Sequence, residues 1–97
     1  MAELNIEVFT SPTCPHCPAA VRATEELLAE HPELEGRIKW KEMSTATQEG
    51  HRKAVAYGIM AVPTIVLTNT KTGQKGGIRG APTKAGYLKA ISEMLAA

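Results

Sequence analysis

Two cysteines occur in the chain, Cys14 and Cys17, and they lie within four consecutive residues. They cannot staple distant parts of a fold together, and a disulfide between them closes a very small loop. In the loop-entropy account such a loop constrains little of the unfolded chain, so chemistry explains the pair better than stability does. The chemistry open to two thiols at this spacing is thiol–disulfide exchange or metal binding. The motif Cys14-Pro15-His16-Cys17 stands where a strand is predicted to end and a helix to begin, with Pro15 at the favoured first helical position. Unpaired backbone N–H groups and the positive end of the helix dipole favour a thiolate at Cys14, which makes it the expected nucleophile. Cys17, one turn further in and more buried, can attack the mixed disulfide and release the substrate as a dithiol.

The neighbours of the pair bear on the same chemistry. A protonated or hydrogen-bonding imidazole on His16 would further stabilise the thiolate. His31 and His51 read as a helix-end residue and a partly exposed helical residue with structural roles only. Pro18 follows directly and is expected to remove an early helical hydrogen bond and bend the first turn. As a metal module, Cys14 and Cys17 would supply two thiolates to zinc or an iron–sulfur cluster. A structural zinc site wants four ligands, so a bridging dimer would be needed, and no metal or other cofactor is expected. A c-type haem site is excluded because Pro18 rather than His follows Cys17.

The elements that must position the pair follow from periodicity. Leu4, Ile6 and Val8 alternate with Asn5, Glu7 and Phe9, the period of a strand. After the motif, Ala20, Val21, Thr24, Leu27 and Leu28 recur at helical spacing up to His31-Pro32. Ile38 and Trp40 alternate with Arg37, Lys39 and Lys41, a half-exposed strand whose basic outer face discourages edge pairing. Thr45 and Gln48 have capping-box spacing ahead of a short helix that stops at Gly58. The apolar run from Pro63 to Leu67 suits a strand buried on both faces, and Lys75 to Gly80 reads as a weak Gly-rich strand. Thr83 can cap a last helix that turns Tyr87, Leu88, Ile91, Met94 and Leu95 inward. The order is β-α-β-α-β-β-α. It implies a right-handed parallel crossover at the start, a hairpin near the end, and an α/β fold with a mixed four-stranded sheet flanked by three helices.

Size and charge bound the remaining possibilities. The 97 residues suit a single domain, 1–97, and the 43% hydrophobic and 22% charged content is that of a packed globular chain rather than a disordered one. A formal net charge of +1 is too balanced to draw in polyanions, so nucleic acid is not an expected partner. No apolar run reaches the roughly 20 residues of a membrane span. Met1 to Thr10 carries Glu3 and Glu7 where a secretory signal would need basic residues and then an apolar block. A cytoplasmic monomer without membrane contact is expected.

The Cys14-Pro15-His16-Cys17 motif after the first strand, Tyr57-Gly58-Ile59, Val62-Pro63-Thr64 and Gly80-Ala81-Pro82-Thr83 together resemble the thioredoxin superfamily. The run from Phe9 to Pro18 is most similar to the small archaeal-type, or glutaredoxin-like, thioredoxins. The resemblance covers nearly the whole chain. It implies the thioredoxin fold and a protein disulfide oxidoreductase in which Cys14 attacks and Cys17 resolves. Pro63 would be a cis-proline facing them, with the Val62 backbone pairing to an extended substrate. Disulfide-containing proteins would be the substrates, and a thioredoxin reductase or equivalent donor would recharge the pair. Typical members have Trp before the first cysteine and a buried Asp six residues ahead of it, where this chain has Thr13 and Val8. Glu7 is adjacent but faces the opposite side of the strand, so water or substrate would have to take the Cys17 proton. The alternative within redox chemistry is a glutathione-dependent, glutaredoxin-like enzyme, although Gly76-Gly77 is followed by Ile78-Arg79-Gly80 rather than by an acidic residue.

Overall fold

The computed structural model describes residues 3–96. Four strands, β1 (Leu4–Thr10), β2 (Ile38–Ser44), β3 (Thr64–Asn69) and β4 (Lys75–Arg79), form one sheet in the order β2-β1-β3-β4. β1 runs parallel to β2 and antiparallel to β3, and β3 and β4 form the expected hairpin. β1 is hydrogen-bonded along both edges, and helices cover both of its faces. Leu4, Ile6 and Val8 point to one side, Glu7 and Phe9 to the other, and of the strand's seven residues only Asn5 is exposed.

Each face carries its own apolar cluster. On one side the β1 residues and Ile65 and Leu67 of β3 meet Ala20, Leu27 and Leu28 of α1 (Cys17–Glu30) and Tyr87 and Ile91 of α4 (Lys84–Ala96). The Thr24 hydroxyl shares a 2.7 Å hydrogen bond with the Tyr87 hydroxyl and also donates to the Ala20 carbonyl, tying α1 to α4 in the interior. On the other side Phe9, Met43 and Val66 pack with Ala54 of α3 (Gln48–Ala56). Alternation in β2 sends Ile38 and Trp40 to the α1 side and Met43 to the α3 side.

Three local expectations are corrected. The sheet has a fourth helix beside it, the single turn α2 (Pro32–Glu35), which starts on a proline with pre-set φ, has Glu33 and Glu35 in its first turn and buries Leu34. The cap of α3 is Thr47, whose hydroxyl accepts from the Gly50 N–H at 3.0 Å, and not Thr45, whose hydroxyl donates instead to the Thr10 carbonyl. Finally, α1 begins at Cys17 with His16 as its N-cap, so Pro15 precedes the helix and is not its first residue. The cap of α4 is as predicted: the Gly86 N–H donates to the Thr83 hydroxyl.

Candidate active site

β1 ends at Thr10, and the chain turns through Ser11, Pro12 and Thr13 to Cys14, whose N–H donates to the Ser11 carbonyl at 3.1 Å. Two residues later His16 caps α1, and its carbonyl accepts from the Ala19 and Ala20 N–H groups. Pro18 therefore occupies the second helical position, where the backbone N–H would have no partner inside the helix. The proline removes no hydrogen bond within the helix there. Pro15 and the His16 side chain are exposed in the link between Cys14 and the helix.

The two sulfurs sit in unequal surroundings. Cys14 is half-buried, Cys17 is 3% exposed, and both are free thiols. The Cys17 thiol is hydrogen-bonded to Cys14 and holds the Cys14 pKa below the ordinary thiol value. The backbone N–H groups of His16 and Cys17 act in the same direction. Burial pushes Cys17 up to about 11, assisted by the hydrogen bond to Cys14 and by the negative charges of Cys14 and Glu42. The His16 contact to Cys14 thus runs through its backbone N–H.

Cys14 and Cys17 open onto a cleft of about 550 Å³ between the start of α1 and the ends of β1 and β2, lined also by Thr10, Arg22, Glu25 and Glu42. The Thr10 hydroxyl donates to the Glu42 carboxylate at 2.7 Å. Glu42 and Thr10 were not singled out from the sequence. The signal was available in the period of β2, since counting by twos from Ile38 and Trp40 brings Glu42 to the α1 face. In the β1–β2 register Glu42 lies directly beside Val8. Glu7, as its position in the strand requires, lies on the other face, 8% exposed, where it accepts from Lys53 Nζ and the Tyr57 hydroxyl, each at 3.0 Å.

The remaining predicted residues lie around this centre or away from it. The Val62–Pro63 peptide bond is cis, and extending the β1–β3 register by one step places buried Pro63 beside Thr10, at the sheet end from which the Cys14 turn leaves. Val62 packs against the Phe9 cluster, and neither residue lines the Cys14–Cys17 cleft. His31 Nδ1 is 3.2 Å from the Glu33 carboxylate, and His51 is exposed on α3. Among the described residues no three His, Cys, Asp or Glu side chains are grouped to hold a metal ion, and no helix is long and apolar enough to cross a membrane.

Residues 4–78 match the family model described as a thioredoxin domain. The chain is 42% identical over 97 residues to a thioredoxin of Methanocaldococcus jannaschii, covering 98% of this chain and 100% of the relative. It is 36% identical over 92 residues to a probable thioredoxin of Methanothermobacter thermautotrophicus, covering 93% and 94%. Among solved structures it superposes on chloroplastic thioredoxin z with a TM-score of 0.79 at 21% identity, covering 97% of this chain and 80% of the other. It superposes on the oxidised form of mitochondrial thioredoxin 3 from Saccharomyces cerevisiae with a TM-score of 0.74 at 21% identity, covering 96% and 80%.

Proposed function

Because the chain belongs to the thioredoxin family and is a thiol–disulfide oxidoreductase, we propose that Cys14 and Cys17 are its catalytic pair and that it reduces protein disulfides in the cytoplasm. The observation that carries this reading is the opposed tuning of the two sulfurs. Cys14 is reachable and held towards the thiolate, while Cys17 is buried and held as a thiol. Only a thiolate attacks a disulfide at a useful rate. Cys14 therefore opens the substrate disulfide and forms a mixed disulfide, after which Cys17 attacks Cys14, closes the Cys14–Cys17 disulfide and frees the second substrate thiol. Two electrons pass to the substrate, and a thioredoxin reductase or equivalent donor returns them. The protein needs no bound cofactor in this cycle and works as a single-domain monomer.

Pro15 and His16 support the pair by holding the link from Cys14 to the helix, with the His16 N–H directed at the Cys14 sulfur. Val62 and Pro63 receive the substrate. Proline offers no N–H, and the Val62 backbone is left to pair with an extended segment of the target. The test is reduction of insulin disulfides with dithiothreitol as the reductant. The natural protein accelerates it and Cys14→Ser does not, while Pro63→Ala shortens the lifetime of the mixed disulfide and lowers the rate. Equal rates for the natural protein and Cys14→Ser would sink the assignment.

A further inference from the structure

Resolution of the mixed disulfide demands that Cys17 lose its proton, and burial makes that hard. Burial, the largest cause of the raised Cys17 pKa, persists when Cys14 is bonded to substrate, so little of Cys17 holds the attacking thiolate at pH 7. On β1, the residue before Thr10 on the α1 face is Val8, which is fully buried and apolar and has no group to take the proton. Glu7 lies on the far face, already engaged by Lys53 and Tyr57.

Rising on the next strand, at the register position of Val8, is Glu42. Its carboxylate and both cysteines line the same cleft, and the Thr10 hydroxyl fixes one carboxylate oxygen from the strand that leads into the active-site turn. We infer that Glu42 is the proton acceptor of Cys17 in the resolving step, working through the solvent of the shared cleft, with Thr10 as its positioning residue. The inference rests on the reading of Cys17 as the resolving cysteine. In the step, the Cys17 S–H proton passes to the Glu42 carboxylate and the Cys17 thiolate attacks Cys14. The Cys14–substrate S–S bond breaks as the Cys14–Cys17 bond forms, and the departing substrate thiolate takes the proton back from Glu42. The other charged groups facing this centre are Cys14, Arg22 and Glu25. Glu25 stands two turns along α1 from Cys17, and it is the charge of Glu42 that acts on the Cys17 thiol. A carboxylate placed there only by chance would hinder resolution, because its negative charge disfavours the Cys17 thiolate. A carboxylate that accepts the proton speeds it. The two roles predict opposite signs on removal.

The experiment uses the reduced full chain mixed with dithiobis(nitrobenzoate), whose thiolate product is coloured. The first burst reports attack by Cys14 and the second reports resolution by Cys17. Glu42→Gln should leave the first burst unchanged and slow the second at pH 7 by about tenfold or more, within what a positioned general base contributes. The slowed rate should climb with pH, converging on the natural protein's flatter profile as hydroxide replaces the carboxylate. Glu42→Asp should recover part of the loss, and Thr10→Val should reproduce a smaller part of it with the same change in pH profile. Glu25→Gln, which removes the same charge from the same cleft, should leave both bursts unaltered. A second burst that is unchanged or faster in Glu42→Gln overturns the inference, as does equal slowing by Glu25→Gln. A normal second burst in Cys17→Ser would instead overturn the reading of Cys17 on which it rests.

Discussion

At the scale of single residues, the two cysteines differ in burial more than in any partner, and burial is what a reagent senses. Iodoacetamide followed by mass spectrometry against pH should label Cys14 first, with a midpoint below the ordinary thiol value of about 8.5. Cys17, held up first by its burial, should react later and only at higher pH. First labelling of Cys17, or a Cys14 midpoint at or above the ordinary value, would contradict the assignment. His16 is a second case. Its imidazole is exposed while its backbone N–H faces the Cys14 sulfur, so His16→Ala should move the Cys14 pKa by less than about half a unit. A rise of a full unit in thiolate absorbance titrations would restore the imidazole to the role expected from the sequence. Cys14 and Cys17 were legible because their spacing carries its own chemistry. Glu42 was not: a glutamate on a half-exposed strand looks like any solvated charge until the register of β1 against β2 brings it beside Val8.

Among the elements, the strands and the three long helices were legible because alternation and helical spacing report which face is covered. The helix starts were less so. Thr45 and Thr47 can both serve as caps in sequence, and the one that does is Thr47, whose hydroxyl accepts from the Gly50 N–H while it donates to the Ser44 carbonyl. The start of α1 at Cys17 depends on which carbonyl first accepts a helical hydrogen bond, and no residue type near Pro15 or Pro18 announces that. The cap at Thr47 brings the first turn of α3 so close to the end of β2 that a Cβ on Gly50 would run into the Ser44 carbonyl. Backbone cannot yield as a flexible side chain does. Gly50→Ala should therefore destabilise the protein by about 1–3 kcal/mol in urea unfolding, although alanine is the better helix former. A variant as stable as the natural protein would show that the β2–α3 turn is free to open.

Across the whole molecule, the two apolar clusters are separated by the sheet, and Tyr87 closes the larger one by meeting Thr24 of α1. Burial pushes the Tyr87 hydroxyl up to about 12, against about 10 in an unfolded chain. The folded state thus holds its proton over a range where the unfolded state has released it. The stability from this group is complete below pH 10 and declines between pH 10 and 12, by about 2–3 kcal/mol in all. Tyr87→Phe should be less stable than the natural protein by about 1 kcal/mol at neutral pH, from the lost hydrogen bond. Near pH 12 it should be the more stable of the two. Urea midpoints that stay in the same order across that range would refute the account. This link between α1 and α4 was legible only in part: helical spacing turns Tyr87 inward, but which hydroxyl it meets is decided by how the two helices lie on the sheet.

The place of β1 in the middle of the sheet has a consequence for how the protein comes into being. On the ribosome β1 emerges ahead of both its neighbours, and its second flank is supplied only when synthesis has passed Asn69. At about 5–20 residues per second the nascent strand spends some seconds unpaired. Throughout that interval Cys14 and Cys17 are ordinary thiols on an open chain, because burial and the turn of α1 are what divide their reactivities. A nascent polypeptide stalled before Thr64 should carry both cysteines equally open to alkylation and stay sensitive to protease, so the difference between the two thiols would be acquired late in synthesis.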